Sequence, residues 1–139
     1  MAYGNELRGE DGFGVEVIKQ LQKTSLANTK LLCLLQLTPE LCLQLQDATK
    51  IIFVDATYSE QNPYALACSL EKSVNSNITH HISVFTIIEI LKNLYGKNPD
   101  FEIFSILTKN FDSIINNAYY TNCINETSKQ IILSIQKYN

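Results

Sequence analysis

Phe13, Val17 and Leu21 recur every four residues, which predicts a first helix over roughly residues 12–23. The short apolar run from Lys30 to Leu35 predicts a strand. Thr38-Pro39-Glu40 combines an N-cap residue, a proline at the first helical position and an early acid, so a helix is expected from there to about Gln46. Lys50-Ile51-Ile52-Phe53-Val54-Asp55 is the best strand in the chain. It is apolar on both faces, as a central parallel strand covered by helices on each side must be. Tyr64 to Leu70 predicts a weaker strand, followed by a polar loop from Glu71 to Thr79. Val84, Ile87, Ile88, Leu91 and Leu94 trace a helical stripe closed by Tyr95-Gly96, with glycine as the C-cap. Phe101 to Leu107 alternates like a strand. The asparagine-rich stretch Asn110 to Asn125 reads as loop, and Glu126 to Lys137 as a closing helix built on Ile131, Ile132 and Ile135.

Helices alternating with apolar strands imply an α/β fold, a three-layer sandwich with a mainly parallel sheet and helices on both faces. One element falls short of that plan. Only Met1, Ala2 and Tyr3 precede Gly4, so the first strand is read as missing or truncated. At 139 residues the chain is read as a single domain, 1–139, with enough length for its own core.

The net charge of −3 gives no reason to expect nucleic acid or an anionic membrane as the main partner. No apolar run is long enough to span a bilayer, and the start does not look like a signal peptide. Cys33, Cys42, Cys68 and Cys123 are scattered, without a Cys-x-x-Cys pair, and read as buried thiols of a cytoplasmic protein.

Four of the five glycines lie in Gly4-Asn5-Glu6-Leu7-Arg8-Gly9-Glu10-Asp11-Gly12-Phe13-Gly14, around the acidic pair Glu10-Asp11. Such a density of glycine marks tight turns or close approach to the main chain. The acids are expected to face solvent at the start of the first helix, open to a cation or a substrate. In open α/β sheets, sites form at the carboxyl ends of the strands. Glu10-Asp11, Asp55 and His80-His81 all fall on such loops. Two carboxylates and an imidazole suit a divalent transition metal with open positions, not structural zinc. Each group also has a plain explanation: helix-dipole preference for the acids, a turn for Asp55, a surface position for the histidines. No Gly-x-Ser-x-Gly elbow, Walker loop or dinucleotide fingerprint is present.

Taken together, the segments resemble the nickel-iron hydrogenase maturation proteases. The resemblance rests on the Gly4 to Gly14 loop, Gln36-Leu37-Thr38-Pro39-Glu40-Leu41, Phe53-Val54-Asp55-Ala56, Thr79-His80-His81 and the helix ending Leu94-Tyr95-Gly96, and runs to about residue 108. It implies an endopeptidase that removes the C-terminal extension of the hydrogenase large-subunit precursor after nickel insertion. It further implies that Asp11, Asp55 and His81 contact the metal, with Glu10 and His80 as adjacent alternatives. His81 stands nearer the helix start. The nickel would be carried by the substrate rather than held permanently. A monomer that meets its substrate transiently is expected, because no coiled-coil pattern or obvious apolar patch in the sequence argues otherwise. The chain departs from the family at Glu10, where an aspartate is common.

Two other readings stay open at this level. One is a truncated, non-catalytic nickel- or precursor-binding relative. The other is a phosphoacceptor receiver domain, since Glu10-Asp11, Asp55, Thr86 and Lys109 occur in a comparable order.

Overall fold

The computed structural model describes residues 1–60, 64, 66–69 and 82–138. Five strands, β1 (Ala2–Tyr3), β2 (Cys33–Leu34), β3 (Lys50–Tyr58), β4 (Leu66–Ser69) and β5 (Asp100–Thr108), form one sheet in the order β2-β1-β3-β5-β4. The first four strands of that order run parallel, and β4 pairs antiparallel with β5 at the edge. The strand expected to be missing or truncated is therefore present in short form. It lies between β2 and β3, where Ala2 pairs with both Cys33 and Val54.

Helices α1 (Phe13–Leu21) and α4 (Asn117–Tyr138) cover one face, and α2 (Cys42–Leu45) and α3 (Val84–Tyr95) cover the other. Strand alternation sorts β3 between the two cores: Ile51 and Phe53 pack with α2 and α3, Val54 with α1 and α4. This explains why the strand reads as apolar on both faces. The three-layer, mainly parallel sandwich is as expected.

Several boundaries differ from the sequence reading. β3 continues past Asp55 to Tyr58, because β5 pairs with it along its whole length, Lys50 with Asp100 through Tyr58 with Thr108. Asp55 thus sits inside the strand rather than closing it. The asparagine-rich stretch is not all loop. α4 begins at Asn117 and buries Tyr120 and Cys123 against α1, a packing contact that outweighs the modest helix propensity of asparagine. The N-terminal part of the Thr38 helix is a 3-10 turn, Pro39–Leu41. α3 is capped at its start by Ser83, whose Oγ accepts from the Thr86 amide at 3.1 Å, and at its end by Gly96 in the left-handed conformation. Cys33, Cys42 and Cys123 are free thiols. Among the described residues, no helix is long and apolar enough to cross a membrane.

Candidate functional site

β1 runs directly into the glycine loop, which passes over the carboxyl ends of β3 and β5 and tightens into a 3-10 turn, Gly9–Gly12, before α1. Its two acids face opposite ways. Glu10 is fully buried, contrary to the expectation that both acids face solvent. Its carboxylate accepts from the hydroxyls of Tyr64 and Thr108 and, at 2.9 Å, from the amide of Ile115. Thr108 in turn accepts from the Asn110 amide at 3.0 Å, and Tyr64 from the Asn116 amide at 2.8 Å. Burial and the adjacent Glu10 push the Tyr64 hydroxyl up to about 12, so it stays a donor. Tyr64 itself has φ 66, an uncommon conformation for a tyrosine.

The segment between β5 and α4, for which the sequence suggested no role, is the cradle of the loop. Besides Glu10, it holds Arg8 through an ion pair with Asp112 at 2.7 Å and Asp11 through the Phe111 carbonyl at 3.3 Å. Gly9, at φ 50, passes so close that a Cβ there would lie 2.5 Å from the Ser113 nitrogen. Part of the glycine signal therefore reports this close approach.

Asp11 points the other way. Its Oδ2 accepts from the Asn5 amide at 3.0 Å, and it remains partly exposed. Its charge reaches Asp55 and helps to raise that carboxyl. Asp55 is itself doubly bound: Tyr3 donates to Oδ2 at 2.7 Å, and Ser105, its partner across β3 and β5, donates to Oδ1. Although the side chain keeps some contact with solvent, dense surroundings strip most of its hydration. That loss raises the Asp55 pKa more than the hydroxyls of Ser105 and Tyr3 lower it.

Asp11 thus lies within electrostatic reach of Asp55, which sits inside β3 beside the short strand β1, while Glu10 turns inward. His80 and His81 lie outside the described residues. Among the described residues, no group of three or more His, Cys, Asp or Glu side chains is placed to hold a metal. The two aspartates offer hard oxygen donors, and each carboxylate keeps lone pairs beyond the bonds it accepts. They suit a divalent cation completed by further ligands. Tyr3 and Ser105 were not legible as site residues. Both are uncharged, and only strand register places them beside Asp55.

Solved structures of known function share this architecture. The maturation peptidase of hydrogenase 2 from Thaumarchaeota archaeon SCGC_AB-539-E09 superposes with a TM-score of 0.68 at 18% identity, covering 97% of this chain and 96% of its own. The NiFe hydrogenase maturation protease HycI of Thermococcus kodakarensis KOD1 gives 0.72 at 18% identity, over 96% and 88%. The hydrogenase maturating endopeptidase HybD of E. coli gives 0.77 at 16% identity, over 99% and 90%. The chain has the fold of the hydrogenase maturation proteases. No protein-family model matches the sequence, and no curated protein matches it. Against the receiver-domain alternative, Thr86 lies in the first turn of α3, not at the end of a strand.

Proposed function

We propose that the protein is an endopeptidase of nickel-iron hydrogenase maturation, which removes the C-terminal extension of the large-subunit precursor after nickel insertion. The observation that carries this reading is the fold, shared over almost the whole chain with three such proteases; Asp55, held by Tyr3 and Ser105 within electrostatic reach of Asp11, supports it. In this reading the nickel belongs to the substrate. Asp11, Asp55 and His81 contact it, and a set of two carboxylates and one imidazole holds free nickel only loosely. Binding then depends on a precursor that already carries its metal, so cleavage follows insertion. Nickel so placed is a Lewis acid able to polarise a nearby carbonyl or activate water. Tyr3 and Ser105 orient Asp55, while Glu10 fixes the loop that presents Asp11. Leu7, 87% exposed on the same loop, offers an apolar contact to the extension. We assign the protein to the cytoplasm as a monomer that meets its substrate transiently.

The test is the intact mass of a nickel-loaded large-subunit precursor before and after incubation with the protein. A single C-terminal mass loss that requires nickel is expected. No loss, from protein shown to be folded, would leave a non-catalytic precursor-binding role.

A further inference from the structure

Among the described residues, Asn28 and Tyr64 are the two outside glycine with a left-handed backbone, at φ 53 and φ 66. Asparagine enters that region readily, but a tyrosine does so at a cost its surroundings must offset. Tyr64 lies between β3 and β4, and the groups that hold it lead to the glycine loop.

Its amide donates to the Leu107 carbonyl of β5 at 2.8 Å, and its carbonyl accepts from the Cys123 thiol of α4 at 3.6 Å. Its ring stacks on Tyr119, with centroids 6.0 Å apart and planes 9° from parallel. These contacts fix the backbone and the ring, and so they aim the hydroxyl. That hydroxyl donates to Glu10 and accepts from the Asn116 amide at 2.8 Å. Glu10 belongs to the loop itself. Asn116 belongs to the segment that grips the loop, through Asp112 on Arg8 and the Phe111 carbonyl on the Asp11 amide. Tyr64→Phe keeps the ring and backbone contacts. What the hydroxyl adds is a tie between the loop and its cradle.

We propose that Tyr64 is a positioning residue, whose hydroxyl locks the glycine loop to its cradle and thereby holds Asp11 in place. The left-handed backbone fits this role, since it is retained by contacts that point the hydroxyl at Glu10. The bearing of Tyr64 on cleavage rests on the proteolytic reading. Its hold on Asp11 does not, because the Asn5 amide, which donates to Asp11 Oδ2 at 3.0 Å, reports where that carboxylate stands.

The test is Tyr64→Phe. Exchange of the Asn5 amide is expected to quicken at least about tenfold, while that of Phe104 in the middle of β5 changes less than about twofold. A general loss of stability quickens both amides equally, and that result, like no change at Asn5, would overturn the proposal. If Tyr64→Phe does not fold, Tyr119→Ala, at the exposed end of the stack, carries the same expectations. Binding supplies a second readout. The preference for a nickel-loaded over a nickel-free large-subunit precursor should shrink at least about tenfold in Tyr64→Phe, since a displaced Asp11 loses its contact with the metal. An undiminished preference would overturn the proposal. A wild type with no preference would instead count against the proteolytic reading, and amide exchange alone would decide the role of Tyr64.

Discussion

Tyr3 donates its hydroxyl proton to Asp55 Oδ2 at 2.7 Å, tying the two-residue strand β1 to the carboxylate at the centre of the candidate site. Burial and the carboxylate both raise the Tyr3 pKa, so the phenol is a donor at every physiological pH. The bond lowers the Asp55 pKa and opposes the rise caused by desolvation. Tyr3→Phe removes that opposition, and the Asp55 carboxyl then needs a higher pH to ionise. The expected result is a stability loss of about 1 kcal/mol. The acidic limb of the processing rate should also move to higher pH. Rates of precursor cleavage across pH check this, and an unmoved limb would separate Tyr3 from the chemistry.

Glu10 and Asp11 are adjacent in sequence yet carry different predictions. Glu10→Ala leaves the buried Thr108 hydroxyl and the partly buried Tyr64 hydroxyl and Ile115 amide without their acceptor. A loss of about 3 kcal/mol or more is expected in urea denaturation, with Glu10→Gln costing roughly half as much. Asp11→Ala removes one bond to the Asn5 amide at a partly exposed position, and about 1 kcal/mol is expected. Processing should nevertheless be lost in Asp11→Ala, the milder variant by stability. If the two stabilities came out reversed, Glu10 would not be the anchor of the loop.

These contrasts mark how far the sequence reached. The layered fold was legible because β3 is apolar on both faces and the stripes of α1 and α3 keep helical spacing. The loop was legible from its glycines. Which way each acid turned was not, because the partners of Glu10 come from positions 54 to 105 residues away in the chain. The role of the stretch from Asn110 to Asn116 was hidden for the same reason. It acts largely through backbone groups, which leave no mark on composition.

Gly14 is part of that glycine run for a packing reason. A Cβ there would lie 2.5 Å from the Val54 carbonyl oxygen and 2.9 Å from the Ala2 side chain, so α1 rests directly on the sheet. Gly14→Ala must push the helix off β3, at a cost of about 2 kcal/mol or more despite the better helix propensity of alanine. A thermal melt checks the sign. An unchanged or higher midpoint would mean that the helix can shift freely, and that the close approach contributes nothing to the fold.

Asp55→Asn separates stability from activity. Asparagine keeps an acceptor for Ser105 and can donate to the Tyr3 oxygen, so the packing survives the change. In the wild type, desolvation raises the folded-state pKa of Asp55 above its unfolded value. Between those two values the folded protein holds an extra proton, and its stability falls as pH rises through that window. Asparagine has no such proton to lose. The variant should therefore be more stable than wild type above the folded-state pKa, while cleaving no precursor. Its advantage should disappear on acidification below the unfolded carboxylate pKa of about 3.9. Urea titrations at several pH values measure the difference. A variant less stable at pH 8 would show that the Asp55 charge is no strain on the fold, and one that still processes the precursor would remove that charge from the site.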